Sequence, residues 1–195
     1  SRLDALAAAA LRAGRPSPID PFLACFLELP PADFQRLAGD RAGAIAATAG
    51  SDEGRPPLSP RRAQRLRIGY ASGQFAGHAT GHLVQDMFRH HNRGRFEIIG
   101  YGLKPSDGSE LRRRIVADMD IFHDLSGHSD RQAADTMRRD RLDVLVDLDG
   151  FVSGNRARIF ALRGAALQVS YLGFPGTTGA AYMDYMIADH RVLPP

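Results

Sequence analysis

The sequence predicts an α/β fold, a parallel sheet with helices on both faces, preceded by a short helical segment. From residue 66 onward, short apolar runs alternate with amphipathic stretches, as in parallel strands joined by crossover helices. Right-handed crossovers place such helices on both faces of the sheet. The predicted strands are residues 66–72, 96–103, 120–125, 143–148, 167–172 and 185–188.

The connections between these strands carry apolar side chains at helical spacing. The positions are Leu83, Val84, Met87 and Phe88, then Leu111, Ile115 and Val116, then Ala133, Ala134 and Met137. Asp107 and Glu110 have the spacing of a capping box, so we expect a helix to begin there. A fourth, short helix is predicted over residues 156–162.

Two further segments precede the predicted sheet. Apolar residues at helical spacing predict a first helix that ends near Gly14, before Pro16. A second helical pattern covers residues 31–47, and Gly54 and the prolines that follow it then interrupt regular structure. We therefore expect three parts: residues 1–15 as the end of a helical region, 16–65 as a helical adaptor and linker, and 66–195 as the sheet domain.

Composition narrows the function classes. With 44% hydrophobic and 24% charged residues the chain is typical of a globular protein, and no apolar run approaches the roughly 20 residues that span a bilayer. The N-terminus lacks the charge-then-apolar order of a signal peptide, so we expect a cytoplasmic location.

Cys25 is the only cysteine, which excludes a disulfide within the chain and a multi-cysteine zinc site. The net charge of +3 comes from arginines dispersed among 22 acidic residues, which argues against nucleic-acid binding.

Function is expected in three loops, because ligands of open α/β sheets bind beyond the carboxyl ends of the strands. These loops are residues 73–81, 149–155 and 173–182. In the first, glycines let backbone N–H groups approach a ligand, and a helix start at about Gly81 would favour an anionic group. The glycines do not form the G-x-G-x-x-G fingerprint, and tight turning would explain them equally well.

Two histidines, His78 and His82, lie four residues apart in this region. That spacing could chelate a metal, but no Glu follows His78 and the motif contains no carboxylate, so we expect no metal. His78 is better suited to proton handling or to hydrogen bonding with a sugar or phosphate. The alternative is that His78 only caps the helix.

Three other features of the predicted loops are open to two interpretations. Residues 172–179 combine three glycines, a proline and two threonines, and could wrap a sugar or pyrophosphate or form a plain turn. Asp147 and Asp149 could hold a metal, but we expect their carboxylates to point apart in a solvated turn. Lys104 lies in a predicted turn and is expected to be solvated rather than catalytic.

Several ordered segments resemble glycosyltransferase family 41, the O-GlcNAc transferase and SPINDLY family. They are residues 66–72 (LRIGYAS), 77–82 (GHATGH), 160–163 (FALR), 172–179 (LGFPGTTG) and 183–185 (MDY). The likeness extends from about Pro16 to the end of the chain, and ordered matches at this spacing are more specific than any single loop.

This resemblance implies the N-terminal Rossmann-like half of a GT-B glycosyltransferase, usually preceded by tetratricopeptide repeats. It implies inverting transfer of a sugar, most often GlcNAc from UDP-GlcNAc as the donor substrate, to Ser or Thr hydroxyls, with no cofactor and no metal. The implied partners are a protein or peptide acceptor and, within the same protein, the repeat region and a C-terminal catalytic half. Without that second half we expect the chain to be inactive.

The same resemblance implies roles for individual residues. His78 matches a histidine at the reaction centre, for which a base role and a substrate-contact role are both argued. The implied substrate-binding residues are Thr80, His82, Phe151, Leu172, Gly173 and Pro175, with Leu172 and Gly173 against the donor sugar.

Two positions depart from the family pattern. Gln74 stands where an aspartate is common, and an amide cannot accept a proton at neutral pH. Phe151 replaces a tyrosine near the acceptor path, and the donor-phosphate lysine of the family lies in the second half and is not Lys104. Two alternatives stay open: a non-catalytic peptide- or nucleotide-binding module, which Gln74 would favour, and a dinucleotide-binding domain. Against the dinucleotide-binding domain, no acidic residue ends the second predicted strand at Leu103.

Overall fold

A computed structural model describes residues 2–50, 54, 56–57 and 65–192, and its centre is a six-stranded parallel sheet. The sheet order is β3-β2-β1-β4-β5-β6. The strands are β1 Leu66–Ser72, β2 Phe96–Gly102, β3 Ile121–Asp124, β4 Val144–Asp147, β5 Leu167–Tyr171 and β6 Tyr185–Ile187. All six predicted strands are therefore confirmed, each within two residues at either end.

The centre of the sheet lies between β1 and β4. β1 pairs along its whole length with β2, from Leu66 opposite Phe96 to Ser72 opposite Gly102. On its other side β1 pairs with β4, where Ala71 lies opposite Asp147. From β1, the strands β2 and β3 are added on one side of the sheet, and β4, β5 and β6 are added on the other. The topological switch point therefore lies between β1 and β4.

Helices cover both faces, as predicted, because neighbouring strand residues point to opposite sides. The helices of the sheet domain are α4 Ala79–Val84, α5 Glu110–Ala117, α6 Asp130–Arg139 and α7 Arg158–Ala161. Ile98 of β2 packs with Val84 and Ile115, from α4 and α5. Ile99, next to it, packs with Met137 and Phe160, from α6 and α7.

Two predicted helix starts are wrong by two residues. α5 begins after Ser109, whose hydroxyl accepts a hydrogen bond from the Arg112 N–H, so Ser109 and not Asp107 is the cap. α4 begins at Ala79 rather than at Gly81. The side chains of Ser, Asp and His can each accept a hydrogen bond from an N–H group in the first turn of a helix. Sequence spacing alone therefore does not identify which of several neighbouring residues is the cap.

The described residues before the sheet form three helices: α1 Arg2–Arg12, α2 Pro21–Ala24 and α3 Pro31–Ala49. On one side of α3, Leu37 packs with Leu11 and Ala24, from α1 and α2. On another side, Ala38 and Ala42 pack with Phe151 and Ala180 of the sheet domain. Most of the predicted linker, residues 51–53, 55 and 58–64, lies outside the described residues. Over the described part of the chain, no helix is both long and apolar enough to cross a membrane.

Candidate functional site

The loops predicted to carry function meet at the end of β4. We call residues 73–82 the His78 loop and residues 172–179 the Pro175 loop. The Asp149 carboxylate accepts hydrogen bonds from the Ser72 hydroxyl, at 2.6 Å, and from the Gly73 N–H, at 2.7 Å. Gly173 lies against the same turn from the other side, where an added Cβ would be 1.7 Å from the Leu148 carbonyl oxygen. The two loops therefore touch successive residues at the switch point of the sheet.

His78 is exposed and is the cap of α4: its Nδ1 accepts a hydrogen bond from the Thr80 N–H at 3.2 Å. His78 therefore caps α4, and this bond constrains its chemistry. Because Nδ1 accepts, the proton of a neutral imidazole lies on Nε2, which makes Nε2 a hydrogen-bond donor to a ligand. His82 is exposed one turn later, whereas Thr80 is 3% exposed.

The acidic pair at the end of β4 is buried, so the predicted solvated turn is wrong. Asp147 is 4% exposed and Asp149 is 2% exposed. Asp147 Oδ1 accepts from the Asp149 N–H at 2.9 Å and the Gly150 N–H at 3.1 Å, while Asp149 reaches β1. Burial, with a contribution from the Asp149 charge, raises the pKa of Asp147 to about 7. The two carboxylates accept from different donors, and their surroundings are protein rather than water.

The pKa of buried Asp149 is subject to opposing influences. Burial raises the pKa of Asp149, and it does so against the hydrogen bonds from Ser72 and Gly73 and against the charges of Lys104 and His78, which lower it.

Lys104 lies directly after β2 and is half-buried. Its side chain crosses Gly73, where an added Cβ would be 2.9 Å from Lys104 Cγ. Its Nζ donates to the Ser153 carbonyl oxygen at 3.2 Å. Lys104 therefore connects the His78 loop with the 149–155 turn. The signal that could have found it is its position directly after β2, at the carboxyl edge of the sheet.

The Pro175 loop begins with a strained turn. Leu172 has a φ of +71°, and the Gly173 N–H donates to the Tyr171 carbonyl oxygen at 2.9 Å, as in a γ-turn. A bulky side chain at positive φ costs free energy, and this conformation persists only where the surrounding structure holds it. Here Gly173 cannot move toward β4 because of its contact with Leu148.

A cavity of about 870 Å³ opens beside the Pro175 loop. Its lining includes Asp147, Ser170, Leu172, Phe174, Pro175 and Thr178. His78, Thr80 and His82 are not among the residues that line it. Phe151 is 2% exposed and packs edge-to-face on Phe174 with ring centres 5.7 Å apart, so any effect on a substrate passes through Phe174. Among the described residues, no group of three or more His, Cys, Asp or Glu side chains is placed to hold a metal.

The loops and the sheet have counterparts in known proteins. The model of glycosyl transferase family 41 matches residues 56–195, which is most of the chain. The chain belongs to this family. A relative from Arabidopsis thaliana, described as the probable UDP-N-acetylglucosamine–peptide N-acetylglucosaminyltransferase SEC, is 38% identical over 91% of the chain. A relative from Caenorhabditis elegans, described as UDP-N-acetylglucosamine–peptide N-acetylglucosaminyltransferase, is 40% identical over 70% of the chain.

A solved family 41 structure supports the fold. The Thermobaculum terrenum O-GlcNAc transferase, as its K341M mutant, superposes with a TM-score of 0.80 and 31% identity over 90% of this chain. The chain covers 34% of that bacterial protein, 18% of the Arabidopsis relative and 12% of the Caenorhabditis relative. The chain therefore spans only part of the length of each of these proteins.

Proposed function

We propose that the protein containing this chain is an inverting glycosyltransferase that moves GlcNAc from UDP-GlcNAc to Ser or Thr hydroxyls of proteins. Family 41 membership and the relatives described as peptide N-acetylglucosaminyltransferases support this proposal. The observation that carries it to this chain is the meeting of the His78 and Pro175 loops at Asp149 and Leu148, at the switch point of the sheet.

In this proposal the chain is the N-terminal Rossmann-like half of a GT-B catalytic region in a cytoplasmic protein. Residues 1–15 would end a tetratricopeptide-like region, 16–65 would be the adaptor and linker, and 66–195 the catalytic half. The C-terminal half would hold the uridine and stabilise the leaving diphosphate, without a resident metal. Half a cleft neither holds a donor nor excludes water, so the chain alone would be inactive.

The reaction is an attack of the acceptor hydroxyl oxygen on the anomeric carbon. The bond from that carbon to the diphosphate breaks, and the hydroxyl proton leaves to a base or solvent. The geometry of His78 favours substrate contact over the base role, because Nδ1 is occupied by the Thr80 N–H and Nε2 carries the proton. His78 would donate a hydrogen bond to the sugar or the diphosphate oxygen. His82 would line the acceptor side, and Leu172, Gly173 and Pro175 would contact the sugar.

Gln74 favours a second candidate, a non-catalytic peptide-binding module. Its side chain is 8% exposed, and its amide cannot take the acceptor proton. If the family aspartate were required as the base, this chain would bind without turnover.

The test is transfer of labelled GlcNAc from UDP-GlcNAc to peptide by the full-length protein. His78→Asn is the informative variant, because asparagine is a strong helix cap and preserves the start of α4 while removing the imidazole. We expect kcat/KM to fall about 100-fold, the usual cost of losing a preorganised hydrogen-bond donor. His90→Ala, at an exposed histidine outside both loops, is the control and should match wild type.

Two outcomes would contradict this reading. Transfer at the wild-type rate by His78→Asn would show that His78 has no role in the reaction. No transfer by the wild type, together with peptide binding measured by calorimetry, would favour the non-catalytic module.

A further inference from the structure

Helix α3 lies outside the sheet, yet it forms one wall of the Pro175 loop. The Phe34 ring of α3 stacks on the Phe174 ring, with centres 6.4 Å apart and an angle of 25° between planes. Phe174 in turn packs edge-to-face on buried Phe151. Phe174 is therefore held between the helical adaptor and the sheet domain.

Two glycines of the loop let α3 approach its backbone. A Cβ on Gly176 would lie 2.7 Å from Cε1 and Cζ of Phe34. A Cβ on Gly179 would lie 2.7 Å from the nitrogen and 2.9 Å from the Cα of Gly39, in the middle of α3. Backbone-to-backbone contact of this kind leaves no side chain that could rotate away, so the loop follows any movement of α3.

The other end of the loop needs such support. Leu172 is held at positive φ, and a strained residue persists only when its surroundings determine its position. Contact with Leu148 fixes Gly173 from the sheet, and the contacts with Phe34 and Gly39 fix the loop from the adaptor.

We propose that α3 sets the position of the Pro175 loop and that Phe34 is a positioning residue for the donor sugar. Phe34 acts through Phe174 and Gly176 and touches no reacting atom. This inference rests on the proposed function for its kinetic consequence, but the mechanical link between α3 and the loop is independent of it. Because Leu37 joins α3 to α1 and α2, the link extends from the N-terminal helices to the cavity.

The test compares Phe34→Ala with Phe34→Tyr and Ile115→Ala in the full-length protein. Phe34→Ala removes the ring from the loop, so we expect KM for UDP-GlcNAc to rise about tenfold, with kcat changed less, because the sugar is bound in a less ordered site. Phe34→Tyr keeps the ring and should stay within about twofold of wild type. Ile115 is buried on the face of the sheet covered by α4 and α5, in a cluster that contains neither Phe34 nor Phe174. Ile115→Ala should therefore lower the melting temperature and leave KM unchanged.

Hydrogen exchange of residues 173–180, measured by mass spectrometry on the same variants, needs no catalysis. Phe34→Ala should increase exchange in this segment about tenfold, and Ile115→Ala should not. If the wild type shows no transferase activity, the proposed function is refuted, and hydrogen exchange alone tests the link between α3 and the loop. Equal effects of Phe34→Ala and Ile115→Ala on exchange or on KM would overturn the positioning role, as would unchanged exchange in Phe34→Ala.

Discussion

The two loops that meet at β4 are held in place by different physical means. The His78 loop is fixed by carboxylates, since Asp149 accepts from the Gly73 N–H and Asp107 accepts from the Gly77 N–H at 2.8 Å. The bonds to Asp107 lower its pKa to about 2. The Pro175 loop is held against α3 by aromatic rings and by close glycine contacts instead.

This difference predicts different sensitivities. A hydrogen bond to a buried carboxylate is lost when the acceptor becomes a donor, even if the shape of the side chain is unchanged. A glycine contact is lost when a single methyl group is added, even if no polar group changes. The His78 loop should therefore respond to charge and the Pro175 loop to volume.

The largest effect is expected for Gly173→Ala. The added methyl would lie 1.7 Å from the Leu148 carbonyl oxygen, so the loop must move. We expect a loss of about 3 kcal/mol in the free energy of unfolding, measured by urea titration. Gly127→Ala is the control, because a Cβ there has no neighbour within 4 Å. Equal stability of the two variants would show that the Pro175 loop moves to accommodate the methyl group without loss of stability.

Asp149→Asn should cost about 2 kcal/mol, because it keeps the shape but turns an amide N–H toward one of two donors, Ser72 or Gly73. Exchange of the Gly73 amide hydrogen should become faster, as measured by NMR. An unchanged rate would mean that the carboxylate does not hold the His78 loop.

Asp147→Asn should have the smaller and opposite effect, a gain of about 1 kcal/mol at pH 8. The folded-state pKa of Asp147 is raised from 3.8 to about 7, so its stabilising contribution is complete below pH 3.8 and is lost as the pH rises through 7. Asparagine cannot ionise, and its oxygen can still accept from the Asp149 and Gly150 N–H groups. The gain should shrink as urea titrations are repeated toward pH 4. A gain that does not depend on pH would contradict the raised pKa.

The strands could be predicted from the sequence because stretches with helical periodicity separate the short apolar runs. The burial of Asp147 and Asp149 could not be predicted, because two acidic residues within four positions are usually solvated unless hydrogen-bond donors surround them. The donors to Asp149, Ser72 and Gly73, lie more than 70 residues earlier in the chain. The donors to Asp147 are the N–H groups of Asp149 and Gly150, in a turn whose conformation the sequence does not reveal. The contact of Phe34 with the Pro175 loop leaves no periodic signal either, because it joins segments distant in sequence.

Lys104 offers an experimental handle. It is the only lysine in the chain, and its side chain lies between the His78 loop and the 149–155 turn. Within these residues, an amine-reactive dye would attach at this one side chain. Its fluorescence would then report on ligands that enter beside Gly73, without any cysteine being introduced.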